Sequence, residues 1–267
     1  MTLFHLVLVA VIQGLTEFLP VSSSGHLILL PQLTGIADQG LIIDVAVHVG
    51  TLFAVILFFW RDVAEGLVGL GRLARCRIDT PGARLALALV VATLPVICLG
   101  LVLKITGAME MMRSVAVIGW TMIIFGLFLY WSDQRGVGVK RTGDWSLRDA
   151  VILGLWQGAA LIPGTSRSGA TITGARALGY VREDAARISM LMSIPTIIAS
   201  AVLLSGEVVA EFDGQAARQA AFAAAFAFVA ALGALALMMR LLKAVSFTPY
   251  VIYRLVLGTG LLILAYR

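Results

Sequence analysis

Charge is what this sequence has least of. Only 13% of its 267 residues are Asp, Glu, Lys or Arg, against roughly a quarter in soluble domains. That shortage excludes a soluble fold, because long stretches of the chain would have no polar face to offer water. Cysteine is scarce too. Cys76 and Cys98 stand alone and unpatterned, which excludes a disulfide framework and a cysteine-ligated metal centre. Cations outnumber acids, 20 to 15. This excess reads as a topology signal rather than a nucleic-acid surface, because the cations fall in particular loops.

What the chain has in abundance is apolar length. It is 60% hydrophobic, with a mean hydropathy of +0.98. Apolar runs recur at 44–60, 85–103, 114–132, 188–205, 219–239 and 249–266. Each is long enough to cross a hydrocarbon core of about 30 Å as a helix. The expected fold class is an all-α, polytopic membrane protein. Residues 3–12 lack the basic start and cleavage site of a signal peptide and are expected to stay in the mature chain.

Loop 61–84 carries five arginines, and loop 133–148 carries Arg135, Lys140, Arg141 and Arg148. Arg182, Arg187, Arg240 and Lys243 fall in further loops of the same set. The alternate loops are poorer in cations: 104–113 has Lys104 and Arg113 against Glu110, and 206–218 has Arg218 against Glu207, Glu211 and Asp213. The positive-inside rule makes the first set cytoplasmic and both termini external.

Two apolar segments, 3–43 and 149–187, are interrupted midway by Pro, Gly and Ser. They resemble each other: QGLTEFLPVSSSGH starts at Gln13 and QGAALIPGTSRSGA at Gln157. Gln13/Gln157, Ser22/Ser166, Ser24/Ser168 and Gly25/Gly169 are each 144 positions apart, while Pro20 and Pro163 slip by one. Three spans follow each segment. A duplicated unit with an odd number of crossings inserts its two copies upside down. The expectation is one membrane domain, 1–267, built as an inverted-topology repeat. Repeat one covers about 1–133 and repeat two about 149–267, each a re-entrant helical hairpin followed by three of the six transmembrane helices. Broken helices of this kind put polar groups near the midplane.

The two tips bring together a chemical set. Gln13 and Glu17, four apart, share a helix face, and so do Ser23 and His26, three apart. Glu17 is costly at membrane depth, which marks it as functional by default. It is suited to hold a divalent cation, act as a base, orient His26, or pair with Arg167. Arg167 offers a planar fork for phosphate oxygens. The hydroxyls of Thr165, Ser166, Ser168 and Thr171, with amides freed near Gly164 and Gly169, complete an anion nest. Charge clamp, nucleophile and proton carrier are the parts that phosphoryl chemistry uses. Asp44 and His48, at the start of a span, read as interface capping, with His48 as a supporting residue behind the site.

At these residues the chain resembles the bacterial undecaprenyl-diphosphatase family of the bacitracin-resistance type. Its first segment fits (Glu/Gln)-x-x-x-Glu followed by Pro-Val-Ser-Ser-x-Gly-His, and the second fits Pro-Gly-x-Ser-Arg-Ser-x-x-Thr. The stretch at 247–254, FTPYVIYR, continues the likeness. The resemblance implies a multi-pass bacterial inner-membrane phosphatase with its site open to the periplasm. Such an enzyme hydrolyses undecaprenyl diphosphate to undecaprenyl phosphate and inorganic phosphate, recycling the lipid carrier for peptidoglycan and cell-wall synthesis. It further implies Glu17, Ser23, His26 and Arg167 as catalytic residues. Ser166, Arg167 and Thr171 take diphosphate-binding positions, joined by Gly164, Ser168 and Gly169 of the anion nest as substrate-binding candidates, and Gln13 with Glu17 becomes a metal or acid–base pair. Ser23, His26 or water remains open as the nucleophile. Mg²⁺ or Ca²⁺ is the implied cofactor, although Gln13 stands where many members have Glu, and an amide holds a hard cation less well. Expected partners are the polyprenyl diphosphate and membrane lipids, without nucleic acid; a homodimer stays open. Inverted repeats also suit transporters, so a lipid-phosphate flippase or anion carrier is the competing reading.

Overall fold

The structure is a computed structural model and describes residues 2–35, 39–108, 112, 114–210 and 214–267. Among the described residues it is all-α. The chain runs α1 (Leu3–Phe18), α2 (Ser23–Thr34), α3 (Leu41–Phe58), α4 (Trp60–Leu73), α5 (Pro81–Thr106) and α6 (Val115–Arg135). It continues α7 (Leu147–Ala159), α8 (Arg167–Ala177), α9 (Arg182–Ala210), α10 (Gly214–Leu241) and α11 (Thr248–Ala265). Six of these, α3, α5, α6, α9, α10 and α11, are long and apolar enough to cross a membrane. They coincide with the six runs read from the sequence. The outward faces of the long helices carry large apolar side chains such as Leu94, Ile97, Leu101 and Ile105 of α5, as a lipid-facing surface requires.

The two interrupted segments are helical hairpins. Pro20 and Pro163 fall in the breaks, where their missing N–H groups cost no helical hydrogen bond. Each first helix leans on a span from the other half of the chain: α1 packs on α10, and α7 on α5. The contacts are close because small residues line them. A Cβ on Gly14 of α1 would fall 2.6 Å from the Ala227 carbonyl of α10. A Cβ on Gly154 of α7 would fall 2.6 Å from the Ala92 carbonyl of α5.

At the arginine-rich end, the base of the second hairpin is pinned by a buried clasp. Asp133 at the end of α6 accepts from Arg176 at 2.9 Å, from Arg182 at 2.8 Å and from the Phe247 N–H at 3.2 Å. One carboxylate thus ties α6, α8, α9 and the start of α11. Beside it Asp149 accepts from Lys140 at 2.9 Å and from the Tyr180 hydroxyl at 2.8 Å. Burial, and then Asp149, push the Tyr180 phenol above its ordinary range. Truncating one member of such a buried network typically costs about 3–5 kcal/mol.

One expectation needs correcting. Residues 61–84 are not simply a loop, because α4 occupies Trp60–Leu73. Val63, Gly66 and Gly69 turn toward α5, where a Cβ on Gly69 would overlap the Gly82 backbone. Leu67 and Val68 stay exposed. Helical periodicity is present in this stretch, but the density of arginines around it favours a loop on composition alone.

Candidate active site

Both hairpin tips are built by the same device. Ser22 and Ser166 cap α2 and α8 with φ of 73° and 70°. Non-glycine residues rarely adopt that region, and holding one there costs about 1–3 kcal/mol. In return each serine Oγ accepts the N–H three residues on, from Gly25 and Gly169 respectively. Each also meets the second serine of its own tip, Ser24 at 3.3 Å and Ser168 at 3.1 Å. The next residue, Ser23 or Arg167, is thereby aimed into the space between the tips.

That space is centred on Glu17, whose side chain is only 8% exposed. One oxygen, Oε1, accepts from the Arg167 guanidinium at 2.7 Å. The other, Oε2, accepts from Ser23 Oγ at 2.9 Å and from Gln13 Nε2 at 2.8 Å, and lies 3.8 Å from His48 Nε2. A buried carboxylate persists only with such partners. Arg167 is held in addition by the Ser189 carbonyl at 3.3 Å, and Thr171 Oγ1 meets Ser189 Oγ at 2.6 Å. Ser168 Oγ crosses between tips to the Leu19 carbonyl at 3.0 Å.

The structure therefore brings Gln13, Glu17, Ser23, Arg167 and His48 together. It does not pair Glu17 with His26. The His26 ring nitrogens are taken by the Ser22 carbonyl at 2.7 Å and the Tyr253 hydroxyl at 2.6 Å. The turn at Ser22 sends its carbonyl back under the imidazole. His48 does more than cap a span. Its Nδ1 meets the Asp44 carbonyl at 2.6 Å, and its Nε2 faces Glu17. The second-tip hydroxyls mostly face inward. Ser166, Ser168 and Thr171 are buried and bonded within the protein. Gly169 spends its N–H on the cap. Gly164, at φ 86°, makes room for Thr121, whose Oγ1 a Cβ would approach to 2.2 Å. In this arrangement these residues shape the tip that presents Arg167.

Sequence reasoning gives Arg254 no role of its own. It is fully buried in α11, and its guanidinium donates to the carbonyls of Pro20 in one tip and Gly164 and Thr165 in the other. It bonds also to the carbonyls of Thr121 and Met122. A single cation within the apolar run 249–266 is the available signal.

The donors offer little to a resident metal. Among the described residues there is no cluster of three His, Cys, Asp or Glu. The side-chain oxygens grouped there are those of Glu17, Gln13 Oε1, which is buried without a partner, and Ser23 Oγ. A hard cation needs about six ligands, so most would have to come from the ligand's own oxygens.

An all-α bundle with six apolar spans, holding a buried carboxylate bonded to a serine and an arginine at the starts of two hairpin helices, defines a multi-pass membrane protein with a polar centre inside it. Comparison with known proteins narrows the class. The profile of the family described as bacitracin resistance protein BacA matches residues 6–260, and the chain belongs to that family. It is 69% identical over 266 residues to the undecaprenyl-diphosphatase of Ruegeria pomeroyi, covering 100% of both chains. It is 47% identical over 261 residues to that of Chromohalobacter salexigens, covering 97% of both. With the Erythrobacter litoralis protein of the same name identity is 41% over 285 residues, covering 98% of this chain and 99% of the relative.

Proposed function

We propose that this protein hydrolyses undecaprenyl diphosphate to undecaprenyl phosphate and inorganic phosphate, in the bacterial inner membrane. The observation that carries this reading is the contact of Ser23 Oγ with Glu17 Oε2 at 2.9 Å, beside Arg167 on the other carboxylate oxygen. Transport needs no hydroxyl bonded to a buried base. Nucleophilic attack does. The full-length relatives carrying the diphosphatase name point the same way.

In this reading the headgroup enters between the tips and its phosphate oxygens engage Arg167, whose planar fork matches them. Ser23 and Arg167 stand at the N-termini of α2 and α8, whose positive dipole ends favour negative charge. Glu17 takes the Ser23 proton as Oγ attacks the terminal phosphorus. The phosphoanhydride bond breaks and the polyprenyl phosphate leaves. His26, on the next turn of α2, then takes a proton from water as that water attacks the phosphoserine. The bond from phosphorus to Oγ breaks, Ser23 regains its proton from Glu17, and His26 gives its own to the departing inorganic phosphate. Developing charge stays under Arg167 throughout, which is where such sites gain most of their rate. Glu17 and Gln13 Oε1 would hold a divalent cation together with phosphate oxygens; when bound, it neutralises phosphate charge.

The same reading orients the chain. The arginine-rich end is cytoplasmic by charge, and the hairpins are halves of an inverted repeat that enter from opposite leaflets. The site then opens toward the periplasm.

The test is phosphate release from polyprenyl diphosphate by detergent-purified protein, followed by an acid quench. An acid-stable phosphate ester on Ser23 is expected. An acid-labile adduct on His26 would overturn serine attack, and absence of any phosphate release would overturn the hydrolase reading.

A further inference from the structure

His26 is held by two contacts of different kinds, and together they fix where its proton lies. Nδ1 is 2.7 Å from the Ser22 carbonyl oxygen. A carbonyl can only accept, so Nδ1 carries the hydrogen. In the neutral ring Nε2 is then bare, and its 2.6 Å contact with Tyr253 has the hydroxyl as donor. The two rings lie 5° from parallel with centroids 5.6 Å apart. Tyr253 is itself well anchored. Its neighbour Arg254 is fully buried and bonded to carbonyls of both tips and of α6, which fixes this turn of α11 against the hairpins.

The charged and titratable groups around the tips are Glu17 on α1, His48 on α3, Arg167 on α8 and Arg254 on α11. Their bonds run to Ser23, Gln13, one another and backbone carbonyls, not to the imidazole. Tyr253 is therefore the side chain that decides the state of Nε2.

We propose that Tyr253 is a positioning residue for His26, holding the imidazole in its Nδ1–H form and keeping Nε2 uncharged and correctly aimed until the headgroup and its water arrive. This rests on the proposed role of His26 as the base for phosphoserine hydrolysis. In the resting site the Tyr253 hydroxyl covers the lone pair. During turnover the phenol turns aside, and the water takes its place on a ring already set.

The sign of the pH effect follows. A donated hydrogen bond favours the neutral imidazole, so its loss makes protonation easier. The inactive protonated form then persists to higher pH. Tyr253→Phe keeps the ring and loses only the donor. Its kcat is expected to fall about tenfold, the loss of one well-placed hydrogen bond, with KM within about twofold. The acidic limb of its pH–rate profile is expected to move up by roughly half to one pH unit. Unchanged kcat with an unmoved limb would overturn the proposal.

A second readout needs no turnover. Nitrogen NMR of His26 in labelled wild-type protein is expected to give the Nδ1–H tautomer, with an Nε2 signal that shifts in Tyr253→Phe. An Nε2–H tautomer in the wild type, or an Nε2 signal indifferent to the substitution, would overturn it. If wild-type protein released no phosphate, the proposed function would fall, while the nitrogen signals would still judge the Tyr253 contact.

Discussion

Ser22 and Ser166 open their helices with nearly the same backbone, yet the residue that follows is serine in one tip and arginine in the other. Both Ser23 and Arg167 end on Glu17, one on each carboxylate oxygen. Three residues beyond, the tips diverge again: His26 in the first corresponds to Ala170 in the second, and Glu17 itself corresponds to Leu161. The first hairpin therefore carries the base, the hydroxyl and the imidazole. The second carries the charge. A single turn geometry, used twice, presents a hydroxyl on one side and a guanidinium on the other; on the proposed reading the first serves chemistry and the second binds the anion. Leu161 and Ala170 leave the second tip without the means to build a mirror-image site.

Breaking the shared contact on Glu17 should have the largest effect. On the proposed reading Arg167→Ala removes the counter-charge of the diphosphate, and it strands Glu17 as a buried carboxylate without its cation. Turnover in a phosphate-release assay is expected to fall at least about a thousandfold, the scale seen when a transition-state charge clamp is removed. Arg167→Lys should recover little, because the fork is gone. Adding Glu17→Gln to Arg167→Ala should restore thermal stability in detergent without restoring turnover. Such an outcome separates the structural cost of the lost pair from the chemical one.

The equivalent glycines sharpen the comparison at intermediate cost. A Cβ on Gly25 would have its nearest heavy atom at 3.4 Å, whereas one on Gly169 would meet Arg254 Nη1 at 2.7 Å. The guanidinium cannot step aside easily, since it is tethered to carbonyls in both tips. Gly169→Ala is expected to destabilise the protein by about 2–3 kcal/mol, as overpacking does, and to lower activity with it. Gly25→Ala should stay within about 0.5 kcal/mol. Thermal unfolding of the two solubilised variants side by side is the check.

How much of this is legible in the sequence depends on distance along the chain. The six spans follow from apolar run length, and the hairpin breaks follow from Pro and Ser at matched spacing. Gln13 with Glu17 is a same-face pair, and the structure keeps it. What the sequence hides is everything decided by the turns. The sequence leaves Glu17 suited to orient His26, but the positive-φ conformation of Ser22 delivers the imidazole to a carbonyl instead. Spacing likewise makes the hydroxyls of Ser166, Ser168 and Thr171 look free for an anion, when packing turns them into braces for Arg167. Arg254 is visible only as an unexplained cation in an apolar helix, because its partners are backbone carbonyls, which carry no sequence signature.

The second serines of the two tips make the finest test, since they differ only in what lies beyond the cap. Ser24 is exposed, and its hydroxyl meets Ser22 at 3.3 Å. Ser168 is fully buried and donates to the Leu19 carbonyl of the opposite hairpin at 3.0 Å. Removing the Ser168 hydroxyl leaves that part-buried carbonyl without this donor, at a cost of about 1–2 kcal/mol. Removing the Ser24 hydroxyl exposes nothing new, and a surface change of that kind stays within about 0.5 kcal/mol. Ser168→Ala should therefore lower the unfolding temperature clearly more than Ser24→Ala. It should also loosen the register between tips, seen as a higher KM with kcat less affected. Equal effects in the two variants would mean that the Ser168–Leu19 bond does not set how the tips face each other, and that the Glu17–Arg167 pair and the carbonyl clasp of Arg254 carry that task.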